Sequence, residues 1–188
     1  MFGKKTPPAA PPRPRPASAE PPPPAGWLVQ ALTTDYVAFG QLEPTPMPLL
    51  GFLNLAAQTT ITLSQTRLTA LEPQALIAEA APAEVSIVKA TLIALVPGDE
   101  AGLASARAQM PARSERAVLY AGPYVLRAAL AMMGDMPLRH LFNTGAGNFI
   151  VATDLEVRCQ ILGTAFAPLV APVALLNKTL IQLYHPAS

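Results

Sequence analysis

The chain says nearly the same thing twice, about 88 residues apart. Tyr36-Val37 reappears as Tyr124-Val125, Met47-Pro48-Leu49 as Met136-Pro137-Leu138, and Asn54 and Ile61 as Asn143 and Ile150. Thr91-Leu92-Ile93-x-Leu95 returns as Thr179-Leu180-Ile181-x-Leu183. The matches keep one order at offsets of 88, 89 and 88, so one inserted residue before Met136 and one loss before Val173 align the whole unit. The pattern predicts a duplicated domain. Solenoids and propeller blades recur at roughly 20 to 50 residues, so a unit this long should own most of a core. The shared residues are mainly apolar or turn-forming, which describes a fold and not a reaction.

Four segments follow. Residues 3–26 hold ten prolines among Ala and Arg, including the run Pro21 to Pro24. Proline removes amide donors and holds φ near −65°, so residues 1–26 read as an extended, disordered leader, either a spacer or a ligand for an aromatic-lined groove. Residues 27–97 and 117–188 are the two copies, and 98–116 join them. Asp99 to Met110 suits a linker helix, with Asp99 at its cap and Pro111 past its end.

Within the first copy, Trp27–Thr33 and Tyr36–Leu42 flank Thr34-Asp35 as a hairpin. Pro48 opens a short helix through Asn54, Thr59–Leu71 alternates as a long strand, and Val85–Leu95 closes the unit. The second copy gives the same order, so each reads β-β-α-β-β, with room for a fifth strand where the last run bends at Lys89-Ala90 or Asn177-Lys178. The expected class is mainly β with short helices, arranged as two tandem small β-barrels or rolls that close their own edges.

Tyr124-Val125, Leu138-x-x-x-Phe142-Asn143, Phe149-Ile150-x-x-Thr153-Asp154 and Asn177-Lys178-x-x-Ile181 resemble small bacterial domains of unknown function with an Sm-like or related barrel topology. The resemblance covers most of 117–188 and, more weakly, 27–97, where Gln65 and Lys89 replace the expected Asp and Asn. It implies an architecture and no catalytic residues.

Composition narrows the rest. Hydrophobic residues make up 51% and charged residues 13%, about half the usual charged share. Two units of roughly 70 residues have little interior, so each should lean on the other, and apolar surface should seek a protein partner or a second chain. The runs Ala128–Met133 and Phe166–Leu176 are the expected contact, with Leu169 and Val170 at its centre. Phe166–Leu176 is too short, and too interrupted by Pro168 and Pro172, to span a membrane. Prolines stand where a secretory signal needs an apolar stretch, so a cytoplasmic location is expected. The leader carries four basic residues and one acidic, whereas 27–97 carries two basic and five acidic. Neither copy has the basic surplus that strong nucleic-acid binding needs.

The chemistry-bearing residues are sparse. His140 and His185 are the only histidines and Cys159 the only cysteine, which excludes an intrachain disulfide and any cysteine-based zinc site. Cys159, alternating with Arg158 and Gln160, reads as a core residue before it reads as a nucleophile paired with His140. Asn143–Asn148 is glycine-rich but follows a helix, so Gly145 or Gly147 reads as a helix stop and not a phosphate cradle. Asp154 and Glu156 read as solvated strand charges. Tyr36 and Tyr124 read as half-buried rings with wet hydroxyls, or as one shared binding surface. No cofactor or metal is implied. The leading expectation is a non-enzymatic interaction or scaffolding protein. An RNA-binding or regulatory small barrel is the alternative, and a small hydrolase or ligand-binding enzyme the third.

Overall fold

The computed structural model describes residues 26–108, 110–144 and 147–187. The proline-rich segment 1–25, and with it the spacer-or-ligand question, lies outside the described residues. What is described is mainly β: one antiparallel sheet of eleven strands with three short helices. In the first half, β1 (Trp27–Thr33) and β2 (Tyr36–Leu42) lead to α1 (Leu49–Asn54), β3 (Thr60–Ala70), β4 (Glu79–Ala80) and β5 (Glu84–Val88). A 3-10 turn (Lys89–Thr91) then opens β6 (Leu92–Pro97), and α2 (Glu100–Arg107) crosses to the second half. There β7 (Arg113–Ala121), β8 (Tyr124–Met132), α3 (Leu138–Thr144), β9 (Phe149–Cys159), β10 (Leu169–Asn177), a 3-10 turn (Lys178–Leu180) and β11 (Leu183–Pro186) follow. No helix among the described residues is long and apolar enough to cross a membrane.

The sheet runs β11-β7-β8-β9-β10-β6-β1-β2-β3-β4, with β5 also paired to β3. It is open, which corrects the expectation of two self-closed barrels. The physical reason lies at β6, which does not return to β5. It pairs β1 on one side and β10 of the other half on the other, Leu95 opposite Leu175 and Ala94 opposite Leu176. Every residue of β6 and the last five of β10 are buried. That placement accounts for the unbroken apolar character of Val173–Leu176, because a strand covered on both faces needs no alternation, whereas Ala167, Pro168, Val170 and Pro172 before it stay exposed. The run Ala128–Met133 is also mostly interior, with Met133 alone strongly exposed.

Local signals account for the elements. Period-two burial in β3 puts Ile61 and Leu63 inside with Thr62 outside. At Gln65 the backbone turns to φ 50, Thr66 becomes the buried residue, and the β2–β3 register shifts between Phe39 and Gln41. The second half does the same at Asp154, also φ 50, where the β8–β9 register shifts between Arg127 and Ala129. These are bulges with one residue in the left-handed region. The α2 helix starts where expected, its Asp99 carboxylate accepting from Gly102 N at 2.7 Å and also from Leu28 N. Residues 113–116, placed in the linker by sequence, belong to β7, where Arg113 pairs with Met132.

Both predicted bends are found as the 3-10 turns, and they revise the alignment of the halves. Lys89 opens the first and Lys178 the second, 89 positions apart. Ladder positions agree: Ile61 lies opposite Ile87, and Ile150 opposite Leu176. The run that matched at 88 is therefore displaced by one residue in space. Lys89 follows Val88, which lies opposite Thr60 at the start of β3, as Lys178 follows Asn177, which lies opposite Phe149 at the start of β9.

Two apolar clusters form the interior, and each is mixed. One joins Leu126, Leu130 and Val157 of the second half to Leu32, Leu71 and Ile93 of the first. The other joins Ile61, Leu63 and Leu95 to Phe149, Val173 and Leu175.

Candidate interaction surface

The four residues singled out by sequence scatter. Tyr36 is exposed at the β1–β2 turn, Val170 is 75% exposed on β10, Leu169 is half-buried, and Tyr124 is fully buried at 0%. Tyr124 thus contributes no surface, contrary to its reading as a half-wet ring. Its ring meets Phe166 edge-on with centroids 5.6 Å apart. Phe166 and Leu169 in turn wall a cleft of about 320 Å³ against Val37, Phe39 and Leu71 of the first half. So Tyr124 and Leu169 reach one neighbourhood through Phe166.

The Tyr124 hydroxyl is buried with no hydrogen-bond partner. Burial holds its pKa far above the ordinary 10.0, and the nearby Cys159 thiol and Asp35 carboxyl push the same way. The folded state keeps this proton longer than the unfolded chain does, so the associated stability is intact below pH 10.0 and falls as pH rises beyond it. An orphaned buried hydroxyl costs roughly 1–3 kcal/mol. Tyr124→Phe should therefore raise stability by about 1 kcal/mol and flatten the alkaline loss. Thermal melts of both proteins at pH 8 and above 10 test this, and a destabilised Tyr124→Phe would mean that the hydroxyl is bonded.

The remaining polar candidates disperse. Cys159 lies opposite Tyr124 in the ladder and packs on the mixed cluster around Leu126 and Val157, while His140 is exposed on α3. His185, on β11, faces the Tyr120 hydroxyl at 3.5 Å. Asp154 and Glu156 are exposed and share a shallow hollow with Arg116 and Arg127. No group of three His, Cys, Asp or Glu among the described residues could hold a metal ion. Gly147 takes φ +81 two residues before β9, and a Cβ there would stand 2.5 Å from the Asn54 amide. Gly145 lies outside the described residues.

Sequence reasoning treated Asn54, Lys89 and Lys178 only as alignment or bend markers, and the fold gives each a task. Lys89 Nζ donates to the carbonyls of Leu53 (2.8 Å) and Leu55 (2.7 Å), closing the C-terminus of α1, and Lys178 Nζ donates to Leu141 of α3 at 3.3 Å. An ammonium suits a helix C-terminus, where orphan carbonyls and the dipole both attract it. Asn54 crosses between halves: its Nδ2 donates to Phe149 O at 3.0 Å and its Oδ1 accepts from Phe149 N at 2.8 Å. Asn177 Nδ2 donates back to Lys89 O at 3.2 Å. Their signal was polar identity at matching positions next to apolar runs.

These clamps flank the β6–β10 junction, and the two ends of the sheet differ sharply from it. Among the described residues, the outer side of β5 has no strand beside it, and β11 pairs only with β7. All four residues of β11 are exposed, Leu183 at 66%, as is Val88 of β5 at 49%. Unpaired edges with apolar side chains are templates for another strand. No family model, curated protein or solved structure matches this chain.

Proposed function

We propose that this chain is a non-enzymatic interaction or scaffolding protein, built from a small β unit present twice and working through the ends of its sheet. The observation that carries the reading is the contrast between strands at matching positions: β6 and the end of β10 are buried, whereas β11 and most of β5 are exposed. The shared element order, the two φ 50 bulges and the two lysine-closed helices support a common unit. The scatter of His140, His185, Cys159, Asp154 and Glu156 supports binding over catalysis.

The test is light-scattering mass with absorbance at two wavelengths on the purified full chain. A mass above the 19.7 kDa of one chain, or a bound protein, with no nucleic-acid absorbance, is the expected result. A monomer that retains no protein at high concentration would overturn the reading. Co-purifying RNA would favour a nucleic-acid module instead. Val170→Asp locates the surface: on the sheet-end reading it leaves the mass unchanged, and its dissolving the assembly would assign the contact to the apolar face of β10.

A further inference from the structure

We infer that the exposed β5 edge of one chain pairs antiparallel with the exposed β11 edge of a second copy of this chain, Ser86 opposite Tyr184 and Ile87 opposite Leu183. The inference rests on the sheet-end reading above and adds the occupant and the register.

The argument starts from the junction inside the chain. Leu175 lies opposite Leu95 and Leu176 opposite Ala94. The position in the first half that matches Leu175 is Ser86, and the one that matches Leu176 is Ile87, as the β3–β5 and β9–β10 ladders require. The β1–β6 and β7–β11 ladders carry Ala94 and Leu95 to Leu183 and Tyr184: Leu32 faces Ala94 and Tyr120 faces Leu183. Each half thus has a strand of the β5/β10 kind and one of the β6/β11 kind. One pair of the two kinds is joined, and one strand of each kind remains open. Surfaces that fit each other once within a chain fit again between chains.

Why should the open pair not close within one chain? If the halves were related by a half-turn, joining β10 to β6 would also bring β5 to β11. Among the described residues they do not pair, so the operation relating the halves does not close on two units and leaves one strand of each kind open to another molecule. Such a contact is head-to-tail, with different patches on its two sides.

The flanking polar groups carry the same implication. Asn54 clamps Phe149 at the start of β9 beside the internal junction. Its counterpart Asn143 is exposed at the end of α3, and the counterpart of Phe149 is Thr60, at the start of β3 beside the open β5 edge. On pairing, Asn143 of one chain is placed to clamp Thr60 of the next. The exposed apolar residues of the two edges, Val88 and Leu183, are then covered together.

Disulfide trapping between singly substituted chains tests this. Directly opposed antiparallel residues have Cα atoms about 4.5–5.5 Å apart, within disulfide reach. Full-length Ser86→Cys and Tyr184→Cys chains, both carrying Cys159→Ser, are mixed and oxidised. The expected product is a two-chain species containing one of each, with little from either variant alone. Like-with-like disulfides would mean a two-fold contact and overturn the inference. An assembly without any disulfide would overturn the register and occupant while leaving the scaffold reading, and a monomer without any disulfide would remove both. Tyr184 stacks on Phe142 with centroids 4.2 Å apart, so its loss could loosen β11. Leu183→Lys keeps the test decisive: the 66% exposed side chain should leave the melt intact and return the mass to that of one chain. A Leu183→Lys protein with undiminished mass would overturn the proposal.

Discussion

Expressed apart, residues 26–111 and 112–188 should each be insoluble or melt without cooperativity, and co-expression should recover a soluble complex. The cause is the sharing of both cores. Removing the second half strips Phe149, Val173 and Leu175 from the cluster around Ile61 and Leu63, and uncovers the fully buried Leu92, Ala94 and Leu95 of β6. Removing the first half takes Leu32, Leu71 and Ile93 from the cluster around Leu126 and Val157. Each large apolar side chain returned to water costs about 1.5–3 kcal/mol, so losing three removes an amount comparable to the roughly 5–15 kcal/mol that stabilises a domain. Circular dichroism melts and chromatography of the fragments check this. Two soluble, cooperative fragments that ignore each other would sink it.

Lys89→Met should cost about 3 kcal/mol, against less than about 0.5 for Arg67→Met. Both remove a cation, but in opposite surroundings. Arg67 holds Glu79 at 3.6 Å with both side chains more than 60% exposed, where water screens the pair. Lys89 is 9% exposed and satisfies two carbonyls at the end of α1. Burial lowers its pKa from 10.5, so the ammonium itself is disfavoured there, and a methionine would relieve that cost. The hydrogen bonds decide the sign: two charge-assisted bonds are worth about 1.5–3 kcal/mol each, and their loss strands two acceptors. The adjoining hollow, which Leu53, Leu55 and Lys89 line, admits water that softens the penalty and keeps it near the lower end. Because the folded pKa is lowered, the fold releases this proton more readily than the unfolded chain, so stability from this group rises as pH climbs towards 10.5. Denaturant titrations of the two variants at pH 7 and pH 9 read both effects, and a Lys89→Met protein as stable as the parent would show that the carbonyls need no lysine.

The path of the chain within each half was legible because its signals are local. Alternation in Thr59–Leu71, the Thr34-Asp35 turn, Pro48 before α1 and Asp99 before α2 each act within a few residues. The pairing of β6 with β10 was not, since it joins residues about 80 positions apart whose apolar side chains would suit either face of many strands. The same blindness hid that Val173–Leu176 and most of Ala128–Met133 are interior, whereas Ala167, Pro168, Val170 and Pro172 of the expected contact remain exposed. Tyr124 and Tyr36 matched in sequence, yet one lies inside and the other at a turn, because Phe166 covers only the former. The lysines escaped notice because an isolated Lys after an apolar strand looks solvated until the helix end it closes is placed beside it.

Backbone pairing at the β6–β10 junction covers only two opposed residue pairs. A contact so short would barely hold two separate molecules, but here α2 and its flanking residues tether its sides and keep their effective concentration high, on the order of millimolar for a short connection. A contact of the same kind between chains lacks that tether. It would form and dissolve with protein concentration, so that dilution alone separates the molecules while the fold within each survives.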